Sequence, residues 1–413
     1  MRTRIWAAGL TVAWLVATAA AAAATDYPAL FEKVWSTVDE NFYDPTFNSV
    51  DWKAVGARYR PRAAGVKTDT EFQALASAML REIGTSHLYI VAPAASAAFK
   101  TGIGVQFQEM DGNQIVWDIA PLSDAHAQGV LRGAKLVSPR DALYGELGTT
   151  AGARFEDCEG RARDVSLRRI SAYWPPQHPG FEWWTTKYAR DRSVGYIRID
   201  RFDDGAAALA DRAMDELKDT SGLIIDVRAN SGGNASALRL QSYFVKGEAP
   251  GFALFARPFL AGLGRKVTRN DVLKAAKITG AYTDKAIFDA VSAHAGAATF
   301  WSEDMGAKRY AGPVVVLVGA DTGSAAEGFA WMMRLPQVKF VGRKTAGALL
   351  SADHFDLPGG WSLVVPVQGV WGPDGTDFRD RALEPDVTVA WTRKDACTGR
   401  DPDIEAALAV LKM

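Results

Sequence analysis

The 413-residue sequence is short of the residue types that most directly announce a function. It has 2 cysteines, Cys158 and Cys397, too few for a disulfide framework in a chain of this size. An exported chain could join them across a long loop, and the sequence leaves that pairing open. The 5 histidines are scattered without HxxxH spacing and no CxxC accompanies them, so no metal and no organic cofactor is expected. Net charge is nearly absent too: 47 lysines and arginines face 48 acidic residues, a formal charge of -1. That balance excludes a field strong enough to recruit nucleic acid or an anionic membrane surface. After the opening segment no apolar run is long enough to span a bilayer.

The opening itself, "MRTRIWAAGLTVAWLVATAAAAAATDYPAL", has a basic start, an apolar middle and small residues at its end. It reads as a secretory signal peptide over 1–24, with a membrane anchor as the rival, and places the chain in the periplasm or outside the cell. Hydrophobic residues make up 48% of the sequence, enough for a full core divided into two or three domains.

Residues 25–95 read as helical. "TDTEFQALASAMLREIG" offers Thr68 as N-cap with Glu71 three positions on, then Phe72, Leu75, Ala76, Met79, Leu80 and Ile83 on one face, and Gly84 as the stop. That stop delivers His87 onto a short loop. Residues 96–172 change to short alternating strands, with a hairpin flanking Asp111, Gly112 and Asn113. From about 190, "VGYIRID", "GLIIDV", "PVVVLVG" and "VKFVG" alternate with helical stretches near 206–218, 235–246 and from 324, which argues for an α/β core on a largely parallel sheet. Further helices are expected near 270–297 and over "DPDIEAALAVLK".

In "VVVLVGADTGSAAEGFA" a strand turns through Asp321, Thr322 and Gly323 and restarts as a helix at Ser324. Free N–H groups at a helix start can stabilise an oxyanion, but serine is also among the best N-caps, and capping is the commoner use. "DVRANSGG" follows a buried strand, and Gly232 and Gly233 permit close backbone approach there. A base for Ser324 is not selected by spacing. His87, preceded by Ser86, is the best placed; His126, His178, His294 and His354 lie in less directed settings. Trp174, Trp183 and Trp184, around Pro175, Pro176 and Pro179, read as packing or a domain seam, with a substrate wall as the alternative.

"LREIGTSHLY", "GLIIDVRANSGG", "VVVLVGADTGSAAEGFA" with "VGRKTAG", and "LEPDVTV" with "GRDPDIEAALAVL" resemble, in order, the motifs of the C-terminal processing peptidases. The likeness is to the branch that holds the tricorn protease core and the retinoid-binding relatives, and "VWSTVDENFYDPTFNSVDWKAV" resembles that branch's N-terminal helical region. The resemblance implies an α/β fold with an N-terminal helical region (25–95), a small PDZ-like β module (96–172) and a crotonase-like α/β core (173–413). It implies a serine endopeptidase acting on peptides or unfolded chains, with Ser324 as nucleophile, His87 as base and Ser86 in the relay. Oxyanion donors would come from Ala325 and from Gly232 or Gly233. Gly102, Ile103, Gly104 and Val105 match the loop that holds a peptide's terminal carboxylate.

Two departures stand out. The lysine of the tail-specific branch is replaced by Ala348, with Lys344 out of register, which disfavours a serine–lysine dyad. The relay glutamate of the tricorn-like branch, six residues before Pro385, is Arg379; Asp380 and Asp377 are the candidate substitutes. Arg379 also motivates a different expectation, a catalytically impaired peptide- or lipophile-binding protein on the same scaffold.

Overall fold

The computed structural model describes residues 25–93, 101–171, 180–188 and 192–413. The expected signal segment, Trp174, His178 and the three prolines beside them lie outside the described residues. Helices Tyr27–Asn41, Trp52–Ala63 and Asp69–Arg81 open the chain, and Asp26, Asp51 and Thr68 each cap one through a side-chain oxygen. At the third, Glu71 N–H donates to Thr68 as expected, but the Glu71 carboxylate accepts from Lys67 N, one residue earlier than a reciprocal capping box would have it. The buried stripe is the one the spacing predicts, Phe72, Leu75, Ala76, Met79 and Leu80. Each large member contributes roughly 1.5–3 kcal/mol of burial.

Those helices cover one face of a six-stranded sheet that sequence periodicity does not reveal. Its strands are Tyr89–Val91, Pro250–Ala256, Ala276–Ile278, Ala297–Trp301, Ser351–Asp356 and Ser362–Trp371. Two of these strands lie in stretches that read as helical. Tyr89–Val91, read as part of the helical region, pairs antiparallel with Ser362–Val364. The stretch near 270–297 is two helices, Arg269–Lys274 and Asp284–Ala293, separated by strand Ala276–Ile278. Three-residue strands are too short to show a period, and sheet pairing rather than local propensity sets their conformation.

The second sheet is the one the alternating motifs predict. Its order is Val387–Thr388, Val338–Gly342, Val314–Val318, Gly222–Asp226, Arg192–Ile199 and Phe181–Tyr188, parallel except for the last pair. Successive residues of the central strands point to opposite faces. Val314, Val316, Leu223 and Ile225 pack with helices Ala206–Leu217 and Ala325–Met332, while Val315, Leu317 and Ile224 pack with helix Pro402–Leu411. Burial on both faces explains why these strands read as unbroken apolar runs.

Along the chain, between the N-terminal helices and the second sheet, comes a five-stranded antiparallel module, Val105–Met110 through Ala162–Arg168, with its own core around Ile103, Val116, Phe155 and Leu167. The expected hairpin turns at Asp111 (φ 52) and Gly112 (φ 71). The module is fastened to the segment before the last helix. Cys158 and Cys397 form a disulfide across a sequence separation of 239. Trp117 meets Trp391 at 4.7 Å, Arg132 lies 3.8 Å over Trp117, and Arg393 donates to Gly133 O and Glu156.

Candidate functional site

Ser324 follows strand Val314–Val318 and stands immediately before helix Ala325–Met332. Its backbone has φ 51 and ψ -124, outside the regions open to ordinary L-residues, a conformation costing roughly 1–3 kcal/mol. The hydroxyl makes no capping bond, so the common role for a serine at this position is not the one it has. The surroundings hold the turn in place. Ser324 N donates to Ala348 O at 2.8 Å, Gly323 N to Asn230 O at 3.1 Å, and Thr322 Oγ1 to Val227 O at 2.8 Å. Glu327, fully buried, accepts from Thr345 Oγ1, Gly347 N and Ala348 N at 2.5–2.7 Å. It is an anchor for the strip that in turn fixes Ser324.

The glycine pair lies against this turn. A Cβ on Gly232 (φ 131) would sit 2.7 Å from Ser324 Cβ, and one on Gly233 (φ 135) would sit 1.8 Å from Phe202 O, so both positions exclude a side chain. The donor assignment narrows. Gly232 N already donates to Asn230 Oδ1 at 2.9 Å, whereas Gly233 N and Ala325 N have no hydrogen-bond acceptor among the described residues. Two N–H groups beside a serine hydroxyl are the donors an oxyanion requires.

His87, also at positive φ (59), lies beyond helix Asp69–Arg81 and the expected stop at Gly84 (φ 63). Its Nδ1 is 3.1 Å from Ser86 Oγ. Burial lowers its pKa below the ordinary imidazole value, with no carboxylate contributing. His87 and Ser324, distant in sequence, line one cleft cavity of about 680 Å³, and both also line a second of about 430 Å³. No hydrogen bond joins the two side chains among the described contacts.

Neither acidic candidate lines the cavities that hold this pair. Asp377 accepts from Arg379 N at 2.9 Å and from its guanidinium at 3.3 Å, and Arg379 also reaches Asp44 and Asn48. Burial raises the pKa of both Asp377 and Asp380, and Asp380 has φ 54. Neither is hydrogen-bonded to His87 or Ser86.

In the β module, Gly102 pairs with Ile170, Ile103 is buried, and a Cβ on Gly104 (φ 74) would meet Ser123 Cβ at 2.7 Å. These residues and Val105 do not line the cleft cavities, yet the next residue, Gln106, does, together with Asp118. Of the tryptophans, Trp183 donates to Glu216 and Trp184 packs on Tyr196 at 4.4 Å, away from Ser324. Sequence reasoning missed Arg198 and Asp200, paired at 2.9 Å in the cleft wall. It also missed the buried cluster in which Asp226, Asp401 and Asp403 hold Arg228, the residue that leads into the glycine loop. "VRAN" gives the arginine, but its partners are far away in sequence.

Known proteins match both halves of this architecture. The family model "Peptidase family S41" matches residues 193–389, and "Tricorn protease C1 domain" matches residues 23–81. A putative tricorn protease homolog 2 of Streptomyces coelicolor is 25% identical over 93% of this chain and 32% of its own length. Carboxyl-terminal-processing peptidase 3 of Arabidopsis thaliana is 22% identical over 49% of this chain and 44% of its own. The chain thus spans about a third of the tricorn homologue and under half of the plant protein. Among solved structures, a photosystem II D1 C-terminal processing protease aligns with TM-score 0.56 and 19% identity, covering 94% of this chain and 98% of that one. Mature CPAF aligns with TM-score 0.64 and 12% identity, covering 93% and 97%, a likeness of fold alone. The class so defined is that of the serine peptidases. Within it, the core of the chain, residues 193–389, matches peptidase family S41.

Proposed function

We propose that the chain is an exported serine endopeptidase of the tricorn-like type, with Ser324 as nucleophile and His87 as general base. His87 takes the Ser324 Oγ proton as that oxygen adds to a peptide carbonyl carbon. Gly233 N–H and Ala325 N–H receive the oxygen as it becomes negative. Collapse breaks the C–N bond, the leaving amine takes the proton from His87, and water repeats the sequence on the acyl-enzyme. Hydrogen bonds between such groups are often long before substrate binds and tighten in the complex, so His87 and Ser324 need only share the cleft beforehand. Ser86 orients the imidazole. The β module, PDZ-like in this reading, gathers chain ends through Gly102–Val105 and raises their concentration at the cleft. The Cys158–Cys397 disulfide supports export, because such bonds persist in oxidising compartments.

One observation carries the reading: Ser324 stands in a strained backbone conformation with its hydroxyl unused as a cap, beside two N–H groups that are unpaired among the described residues. Labelling with a fluorophosphonate tests it. Modification of Ser324 is expected, and well-folded protein that stays unlabelled overturns the assignment. The second reading, a binder that kept the scaffold, is favoured by Arg379 and by the absence of any carboxylate contribution at His87. It predicts peptide binding without labelling or turnover.

A further inference from the structure

The two cavities that meet at Ser324 have unlike walls. In the larger, Arg198 and Asp200 pair with each other, and Gln106, Asp118 and Asp321 share the lining. The cavity of about 430 Å³ has an apolar floor: Leu254, Ile287, Leu349 and Val370 are each at most 6% exposed, Phe288 and Met332 are half-buried beside them, and the buried amide of Asn234 is already engaged by Asp204 and Ser236 N. Its ionisable lining residues other than His87, namely Tyr89, Arg201, Asp284, Asp353 and His354, are all exposed. No buried charge therefore waits there for a charged side chain.

Gly233 and Ala325, whose N–H groups have no acceptor among the described residues, line this cavity with the apolar floor and not the larger one. A carbonyl oxygen received by those groups brings the side chain on the adjacent α-carbon to the same cavity. We propose that the apolar cavity is the specificity pocket for the residue that contributes the scissile carbonyl, and that it selects a large apolar side chain such as phenylalanine, leucine or methionine. The inference rests on the reading of Ser324 as nucleophile. Specificity follows from desolvation: the apolar floor rewards apolar surface, and a carboxylate or ammonium driven down to it loses water without gaining a charged partner there.

The test separates binding from chemistry. Fluorescence anisotropy of labelled decapeptides with Phe, Leu, Gly, Asp or Lys at one central position is measured on the full chain carrying Ser324→Ala, and cleavage of the same peptides is mapped by mass spectrometry on the unaltered chain. The Phe and Leu peptides are expected to bind at least about tenfold tighter than the Asp and Lys peptides, with cleavage immediately after the varied residue. In Phe288→Asp on the same background that preference collapses. Phe288→Ala, milder at this half-buried position, reduces it and covers the case in which the aspartate variant fails to fold. Equal binding of all five peptides, or cleavage before rather than after the varied residue, overturns the pocket assignment. Apolar preference in binding with no cleavage of any peptide upholds the pocket and overturns the peptidase reading instead.

Discussion

The two sides of the cleft are built to different standards. Around Ser324 the backbone is tied down from several sides: Glu327 holds three donors, Ala348 O holds Ser324 N, and Asn230 holds both Gly323 N and Gly232 N, leaving the Ser324 hydroxyl, the Gly233 and Ala325 N–H groups and the Asn230 Nδ2 without partners among the described residues. Around His87 the wiring is sparse. The imidazole has one partner, Ser86, and the neighbouring Thr85 hydroxyl is buried without any. The cation at the expected acid position is turned toward Asp377, Asp44 and Asn48. Electrostatic preorganisation gives its largest effect where charge develops, at the oxyanion, so that is the half where rigidity has most value. A base can be aligned by the substrate itself.

Four substitutions bear on that contrast. Ser324→Ala has the largest expected effect, a loss of peptide hydrolysis on the order of 10⁴-fold or more with thermal stability little changed, read by kcat and a melting curve. His87→Ala should cost about 10²–10⁴-fold. In the unaltered chain the base acts when neutral. Because burial lowers its pKa, the acid limb of kcat/KM should fall below the ordinary imidazole value of about 6.5, with rate lost as pH drops through the folded value. A limb above that value would show a carboxylate engaged with His87 during turnover.

Glu327→Ala leaves Thr345 Oγ1, Gly347 N and Ala348 N without their acceptor. A stability loss of about 2–5 kcal/mol in denaturant melts is expected, with a smaller fall in kcat as the strip under Ser324 loosens. The smallest effect should come from Arg379→Glu, which restores an acid where the family resemblance places one. A gain of about tenfold in kcat and an upward shift of the acid limb are expected; no change in either would show that the sparse half does not limit the rate.

The nucleophile side was legible in the sequence because its parts are local. The apolar strand, the turn through Gly323 and the glycine pair are contiguous motifs, and parallel-sheet topology brings them to one edge. What the sequence could not decide was whether Ser324 caps its helix, since that depends on two backbone dihedrals. Which of Gly232 and Gly233 keeps a free amide was open for the same kind of reason: the engagement of Gly232 N by Asn230 Oδ1 is a rotamer choice. The Tyr89–Val91 strand, the Pro250–Ala256 and Ser362–Trp371 strands and the apolar cavity they help to line were hidden because their stability comes from pairing across long separations. His87 was reached through the GTSH resemblance, not through periodicity.

The covalent link between Cys158 and Cys397 also imposes a schedule. A ribosome must emit 239 further positions after the first cysteine before its partner exists, and by then the strands beneath Ser324 have already been synthesised. The wall bearing Gln106 and Asp118 is therefore bolted down late, onto a floor already laid. Any product interrupted between the two cysteines would carry that wall unsecured, so the bond records that synthesis has passed Cys397.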